Sequence, residues 1–292
     1  GGLPHGPFDV NSLKYLDIYK SMEPFFQRSL ELFDVKEIYL TCREHGHVMY
    51  TTQKNSDLGT NLKEGEYSDT VLAKLWKEVI KSRKSRLFDM SNYPLADEPV
   101  LLLGTPVWDK EQNMVGVLMA SLRLSEIKNI MEQNSGLGKS GETYLVGEDG
   151  LMRSESRLIQ ESVILKYEID SKAVDAALDQ GEHGKGSALI KDYRNKMVVS
   201  VYSHVGLEKQ LDTDFDWAII TEMDEAEVML QVRSLEHFVI WVGCIVAVLT
   251  LILGILIARS IVMPLRSLSE KAGDLARGNL NVEIVSSKRV DE

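Results

Sequence analysis

The chain has 292 residues, a formal net charge of −11 at pH 7, 44% apolar residues and 26% charged residues. This length predicts two or three folded units, and the composition is typical of a globular protein. The acidic balance argues against a nucleic-acid partner, because phosphate binding needs clustered Lys and Arg. The two cysteines, Cys42 and Cys244, are so far apart that they indicate neither an internal disulfide nor a metal-ligand spacing.

The first part of the chain carries helix and strand patterns in turn. A helix is predicted over residues 9–33, which Pro24 either kinks or divides in two. Its broken apolar stripe consists of Leu13, Leu16, Tyr19, Phe26, Leu30 and Phe33. Strands are predicted at 36–42, 47–52, 86–90, 100–107 and 114–122. A second helix is predicted over residues 69–84, and its apolar side consists of Val71, Leu72, Leu75, Trp76, Val79 and Ile80.

The same order of elements recurs in the second part of the chain. Strands are predicted at 143–147, 151–154, 186–193, 197–205 and 217–223, with a short helix near 171–179. Asp149-Gly150 is a good turn signal between the first two of these strands. Two turn glycines, Gly46 and Gly150, lie about a hundred residues apart. The sequence therefore predicts an α+β fold with two units in tandem.

A membrane-spanning helix is predicted over residues 238–258, which contain no charged residue. About 20 apolar residues suffice for a helix to cross the hydrocarbon core of a bilayer. Arg259 and Arg266 follow directly, so the positive-inside rule predicts residues 1–237 outside the cytoplasm and residues 259–292 inside it. The alternative is a buried core helix of a soluble protein, in which such a long uncharged run is rare. No signal peptide is visible, and we expect a fragment at both ends.

The residues after the membrane helix have the pattern of a short cytoplasmic relay. Met263-Pro264 is expected to break the helix, because proline lacks the helical N–H. A coiled-coil seam follows, and it consists of Leu265, Leu268, Ala272 and Leu275. Gly278 ends the seam, and an extended connector is predicted at Leu280, Val282 and Ile284. With the acidic pair Asp291-Glu292, residues 259–292 resemble the first half of a HAMP domain, which implies at least a dimer; the alternative is a generic juxtamembrane helix.

Several stretches of the first 237 residues resemble the double Cache domain of bacterial receptors. These stretches are Asp57–Leu62, Phe88-Asp89, Tyr93-Pro94, Thr105-Pro106, Val115–Leu118, Gly136–Gly147 and Leu151–Ser154. The resemblance implies two PAS-like Cache modules on a long N-terminal helix. Its expected boundaries are 1–35 for the helix, 36–135 for the membrane-distal module and 136–237 for the membrane-proximal module. The Arg-x-Trp-Tyr pattern of the amino-acid-binding Cache group is absent, which weakens an amino-acid ligand.

The resemblance also implies a ligand pocket between the sheet and the segment that crosses it, residues 57–85 of the distal module. Polar candidates for this pocket are Asp57, Trp76, Arg86, Asp89, Tyr93 and Thr105. A carboxylate at Asp89 is suited to bind an amine or the hydroxyls of a polyol, and Tyr93 offers a ring wall and a hydroxyl. The alternative is a purely structural role, in which Asp89 caps a turn and Trp76 belongs to the hydrophobic core. Arg153 and Arg157 are expected in salt bridges rather than on a ligand carboxylate.

Other chemistry has little support in the sequence. Gly136-x-Gly138-Lys139-Ser140 lacks the first glycine of a phosphate loop and joins a helix to a strand, the reverse of the required order. His45-x-His47 flanks a turn with no third metal ligand nearby in the sequence, which favours a solvated turn. Neither a Gly-x-Ser-x-Gly elbow nor a His-Glu-x-x-His helix is present. We therefore predict no cofactor, no metal and no catalysis by this chain.

The resemblances together imply a receptor in the inner membrane of a bacterium. A small molecule of unknown identity would bind outside, and a homodimer would pass the signal to a cytoplasmic kinase or adaptor through an output domain beyond residue 292. A methyl-accepting chemotaxis receptor is the first expectation. The alternatives are a sensor histidine kinase or nucleotide cyclase with the same input region, and a membrane-anchored adhesion or scaffold module without a ligand.

Overall fold

The computed structural model describes residues 6–133, 135–179 and 184–278, and the chain divides into two compact units, residues 1–228 and 229–292. Among the described residues the strands all lie in the first unit, and they are β1 (Val35–Cys42), β2 (Val48–Thr51), β3 (Arg86–Ser91), β4 (Val100–Trp108), β5 (Met114–Leu122), β6 (Glu142–Gly147), β7 (Lys185–Lys191), β8 (Met197–His204) and β9 (Trp217–Asp224). The helices of that unit are α1 (Leu13–Leu32), α2 (Val71–Ser82), α3 (Ser125–Met131), α4 (Lys172–Leu178) and α5 (Leu207–Leu211).

The first five strands form one antiparallel sheet in the order β2-β1-β5-β4-β3. Side chains alternate between its two faces, so one strand feeds two cores. Tyr39, Val117 and Met119 lie on the face that α2 covers, whereas Ile38 and Leu118 lie on the face that α1 covers. The predicted strands of this segment are confirmed to within two residues at each end.

Helix α2 follows the predicted apolar pattern. Thr70 caps its first turn by accepting a hydrogen bond from the Ala73 amide at 3.4 Å. Every residue of the predicted apolar side except the half-buried Ile80 is buried, which confirms the pattern. The predicted functional residue Trp76 therefore belongs to the core of this face.

Helix α1 is one continuous helix that contains Pro24, so the predicted division at this residue is wrong. The predicted stripe is also partly wrong, because Leu13 is 82% exposed and Phe33 is 69% exposed. Tyr19 and Phe26 of the predicted stripe are buried, and the half-buried Tyr15 and Met22 complete the face that packs on the sheet. Two hydrogen bonds determine which side of α1 faces the sheet. The Tyr15 and Tyr19 hydroxyls donate to the carbonyls of Met49 and Thr51 at 2.9 and 2.8 Å.

The last four strands form a second antiparallel sheet in the order β6-β9-β8-β7. Helix α4 packs on one face of this sheet, where Tyr144, Val174 and Ile220 share a core. The opposite face meets the first sheet through a separate apolar core that includes Leu101, Leu145 and Trp217. The first sheet therefore has one core with α2 and another with α1, the second sheet has a core with α4, and a fourth core lies between the two sheets.

The predicted strand at residues 151–154 is wrong. Two isolated bridges stand in its place, Val146 with Met152 and Leu151 with Glu168. The segment bends because the Arg153 side chain turns inward beneath Gly147, where a Cβ would lie 2.4 Å from the guanidinium. Burial of that guanidinium, 3% exposed, decides the local structure over the strand pattern.

The described part of the second unit, residues 229–278, is helical. Helix α6 (Glu225–Ile257) begins at the end of the first unit and continues through a π-helical turn (Ala258–Val262) into α7 (Met263–Ala276). Among the described residues this is the one helix long and apolar enough to cross a membrane, by length and composition. The predicted break at Met263-Pro264 is wrong, because the wider π-helical turn precedes the proline and the helix goes on. The predicted connector and the acidic pair Asp291-Glu292 lie outside the described residues.

Candidate functional site

A cluster of buried polar side chains lies on the α2-facing side of the first sheet. It consists of Glu37, Tyr39, Thr51, Asp57 and Tyr93, and we call it the distal acidic cluster. The Tyr39 hydroxyl donates to Glu37 Oε2 at 2.7 Å, and the Thr51 hydroxyl donates to Glu37 Oε1. The Tyr93 hydroxyl donates to Asp57 Oδ2 at 2.6 Å. Asp57 belongs to the segment that leaves β2, so the cluster joins the sheet to its covering segment.

The two carboxyls of this cluster are poorly solvated. Burial raises the pKa of Asp57, and the hydrogen bond from Tyr93 acts against that rise. Burial also raises the pKa of Glu37, with repulsion from Asp57 as a smaller cause. The buried Oδ1 of Asp57 has no hydrogen-bond partner among the described residues. A buried carboxylate oxygen without a partner is suited to accept a hydrogen bond from an ammonium or hydroxyl group.

The structure brings together two of the six predicted site residues, Asp57 and Tyr93. Trp76 is buried, and its Nε1 donates to the Cys42 carbonyl at 3.1 Å. The Thr105 hydroxyl, on β4, lies 2.9 Å from that of Ser85, which directly precedes β3.

Asp89 and Arg86 lie on β3 and contact residues from the part of the chain that contains the second sheet. The Asp89 carboxylate accepts hydrogen bonds from Arg153 Nη2 at 2.7 Å, Arg153 Nε at 3.1 Å and Trp217 Nε1 at 2.8 Å. Asp89 also lines a cavity of about 590 Å³ beside Lys74. Arg86 pairs with Asp212 at 3.1 Å.

The expected salt bridge of Arg153 is thus present, and it joins the two sheets. Arg153 also pairs with Asp149 at 2.9 Å. Arg157 donates instead to the carbonyls of Gly141 and Gly138, at 2.7 and 3.2 Å.

A second buried acidic cluster, which the sequence reading misses, lies on the α4-facing side of the second sheet. It consists of Glu142, Tyr144, Ser156, Tyr193 and Glu222, and we call it the proximal acidic cluster. Glu142 and Glu222 are directly opposite each other on β6 and β9, and each is 1% exposed. Tyr144 donates to Glu222 at 3.0 Å, and Ser156 donates to Glu142 at 2.7 Å. Burial raises the pKa of Glu222.

The loop that resembles a phosphate loop holds a carboxylate of the protein itself. The amides of Lys139 and Ser140 each donate to Glu227 at 2.8 Å, and the Ser140 hydroxyl donates at 2.5 Å. These bonds lower the pKa of Glu227 to about 2. Glu227 lies in the first turn of α6, so the loop fastens the start of that helix.

The chain matches the profile of the Cache domain family (dCache_1) over residues 14–232. A curated relative from Sinorhizobium fredii, described as "Probable chemoreceptor y4sI", is 27% identical over 179 residues, which cover 61% of this chain and 21% of the relative. This chain therefore spans about a fifth of the length of that relative.

Two solved structures illustrate the similarity. The ligand-binding domain of Mlp24 with asparagine is 16% identical, covers 75% of this chain and 82% of its own, and has a TM-score of 0.47. The ligand-binding domain of the amino-acid chemoreceptor PctC of Pseudomonas aeruginosa PAO1, in complex with GABA, is 17% identical, covers 74% and 84%, and has a TM-score of 0.47. The assignment rests on the family profile, which covers more than half of the chain. The chain belongs to the Cache domain family.

Proposed function

We propose that the chain is the input region of a bacterial transmembrane receptor, which binds a small molecule outside the cytoplasm and passes a signal across the inner membrane. The observation that carries this proposal is the direct connection between the Cache domain and an apolar helix. Strand β9 ends at Asp224 and α6 begins at Glu225, with no loop between them. A displacement of this strand therefore moves the helix, and shifts of about 1–2 Å are known to switch such systems.

The ligand site that we propose is the distal acidic cluster, with Asp57 and Tyr93 as contact residues. Oδ1 of Asp57, which has no hydrogen-bond partner in the described part of the chain, favours an organic amine or a polyol as ligand. The other four predicted residues, Trp76, Arg86, Asp89 and Thr105, have contacts within the protein, and a ligand contact from any of them stays a prediction. A ligand that reaches Asp57 would displace the segment that carries this residue relative to the sheet. Binding would thereby be coupled to a movement of the domain.

A thermal-shift screen of the full chain in detergent micelles tests this site. Amines, amino acids, polyols and carboxylates are each tested at increasing concentrations, because a ligand present at about 100 times its dissociation constant stabilises a protein by about 2.7 kcal/mol. We expect an amine or polyol to raise the melting temperature, Asp57→Asn to remove the rise, and the exposed control Asp97→Asn to keep it. An unchanged rise in Asp57→Asn would contradict the proposed site.

The topology that we propose has residues 1–237 outside and residues 259–292 in the cytoplasm. It rests on the length of α6 and on Arg259 and Arg266 beyond its apolar part. Reporter fusions after residues 230 and 270 are expected on opposite sides of the membrane. Reporters on the same side would contradict both the topology and the receptor function.

The receptor is proposed to act as a homodimer. Ile18, Phe25 and Leu32 lie seven residues apart on α1 and are 50%, 69% and 72% exposed, which is a heptad stripe that a second copy of α1 would cover. The seam residues Leu265 and Leu268 of α7 are also exposed, at 60% and 58%. Chemical cross-linking between cysteines introduced at position 25 tests the dimer.

We propose a methyl-accepting chemotaxis signalling domain as the output, with a cytoplasmic kinase or adaptor as partner. A histidine kinase or nucleotide cyclase is the alternative, since a HAMP-type relay serves either output, and residues 259–292 are proposed as the first half of such a relay. An adhesion or scaffold module is disfavoured, because a passive anchor needs no relay. Intrinsic autophosphorylation or cyclic-nucleotide synthesis by the full-length protein would decide for the enzyme alternative.

A further inference from the structure

The turn between β1 and β2 gathers three side chains that bind transition metals. Cys42 ends β1, His45 lies in the turn, and His47 directly precedes β2. Their ligand atoms all lie within 4.8 Å of one another. Cys42 is a free thiol, and His47 is buried. The sequence pattern His45-x-His47 lacks a third ligand, and the hairpin supplies it by bringing Cys42 back beside His47.

The hydrogen bonds of His47 leave its metal-binding nitrogen available. Nε2 lies 2.8 Å from the Gly6 carbonyl, which only accepts, so Nε2 carries the proton. The lone pair of Nδ1 then faces Cys42 Sγ at 3.6 Å. Histidines that bind metals characteristically donate their other N–H to a carbonyl or carboxylate in this way.

The sulfur is positioned by the backbone of the same turn. The His47 amide donates to Cys42 Sγ at 3.3 Å, and the Cys42 amide donates to the His47 carbonyl at 3.1 Å. Gly46 has a φ of +68° and packs so closely that a Cβ would lie 3.2 Å from the side chains of Leu62 and Trp76. The turn is therefore fixed against the core of the first sheet, and Cys42 and His47 are held in place before any ion arrives.

We propose that Cys42, His45 and His47 form a binding site for a zinc ion. Tetrahedral zinc with Zn–S of about 2.3 Å and Zn–N of about 2.1 Å separates sulfur from nitrogen by about 3.6 Å, which matches the distance between Cys42 Sγ and His47 Nδ1. One thiolate and two imidazoles are ligands that Zn²⁺ prefers, and three protein ligands leave a fourth position for water. The site is independent of the distal acidic cluster and of the proposed ligand.

Cobalt(II) is the probe for this site, because a bond between a thiolate and cobalt gives a charge-transfer absorption that nitrogen and oxygen ligands do not give. The full chain without a polyhistidine tag is prepared in detergent micelles with Cys244→Ser, which leaves Cys42 as the one thiol. We expect one equivalent of cobalt to produce the absorption and one equivalent of zinc to remove it. A titration without this absorption would overturn the proposal, whatever the variants do.

Variants of His45 and Cys42 test whether these two side chains are ligands. His45→Ala is expected to weaken zinc binding at least about tenfold, since loss of even an outer-shell partner costs about 10–100-fold. Cys42→Ser, made in the same background, removes the charge-transfer absorption. His204→Ala, which changes a histidine on β8 outside the cluster, is the matched control and keeps full binding. Melting curves without metal show that each variant is folded, and full zinc affinity in folded His45→Ala and Cys42→Ser proteins would refute the site.

Discussion

One strand of each sheet contains the pattern Glu-x-Tyr-Leu, and the two sheets use this pattern differently. The pattern is Glu37-Ile38-Tyr39-Leu40 in β1 and Glu142-Thr143-Tyr144-Leu145 in β6, and in both strands the glutamate and the tyrosine are buried. In the first sheet Ser121 lies opposite the glutamate, and the second carboxylate, Asp57, comes from a covering segment. In the second sheet Glu222 lies opposite the glutamate.

This difference determines whether the two carboxylates of each cluster can move relative to each other. Both carboxylates of the proximal acidic cluster belong to paired strands, so their separation is fixed by the backbone ladder. The distal acidic cluster has one carboxylate on the sheet and one on a segment outside it, so its geometry changes when that segment moves. This difference supports the proposal that the distal acidic cluster is the ligand site, because binding there would be coupled to a displacement of the segment that carries Asp57.

The largest expected effect lies where the two sheets meet. Asp89→Ala leaves the buried Arg153 guanidinium with one carboxylate partner, the half-exposed Asp149, and with the Leu151 carbonyl, and we expect a loss of about 3–5 kcal/mol in the free energy of unfolding. Urea denaturation measures this loss. The double variant Asp89→Ala/Arg153→Met is expected to have a free energy of unfolding no lower than that of the single variant Arg153→Met. Arg86→Ala is the control, since its partner Asp212 is 78% exposed and the pair contributes about 1 kcal/mol or less. Equal losses for Asp89→Ala and Arg86→Ala would contradict this reading of the contact.

The ion pair between Asp89 and Arg153 couples the two sheets. A substitution at either residue disturbs both sheets, so ligand binding by variants of these two residues does not show which sheet binds the ligand.

A matched pair of variants does separate the sheets. Tyr93→Phe and Tyr144→Phe each remove one hydroxyl that donates to a buried carboxylate. We expect each to cost about 1–3 kcal/mol in unfolding free energy, and only Tyr93→Phe to weaken the binding of the ligand found in the thermal-shift screen. Weakened binding in Tyr144→Phe alone would move the site to the second sheet.

A smaller effect, with a pH dependence, is expected at Glu222. Because burial raises its pKa, the native state holds the proton more tightly than the unfolded state, and stability falls as the pH rises from the ordinary carboxyl range through the raised pKa. Glu222→Gln removes this loss and the repulsion from Glu142, so it should stabilise the protein by about 1 kcal/mol at pH 7.5 and by less at pH 5. Melting curves at the two pH values measure the difference. A stabilisation that is larger at pH 5 would show that the sign is wrong.

The sequence predicts elements better than it predicts buried polar groups. Strands and helices such as β5 and α2 follow from apolar periodicity, which burial confirms. Glu37, Glu142 and Glu222 are missed because a polar residue in an alternating strand is ordinarily assigned to the solvent face. Cys42 is missed as a companion of His47 because the hairpin, and not the spacing along the chain, brings them together.

The smallest expected effect concerns Glu227, which fastens the start of α6 to the loop at Lys139 and Ser140. The carboxylate is at the surface, so Glu227→Gln should leave the melting temperature nearly unchanged while the Lys139 and Ser140 amides exchange hydrogen faster. A carboxyl with a lowered pKa stabilises the native state above its ordinary pKa of 4.5, and this contribution is lost as the pH falls towards about 2. In the unchanged protein the protection of these two amides, relative to their intrinsic exchange rates, should therefore decline over the same range. Glu225→Gln, two residues earlier in the same helical turn, is the control and should keep the protection. Unchanged exchange in Glu227→Gln would mean that the loop is held by its own backbone, and that the connection between the sensing domain and α6 passes through β9 alone.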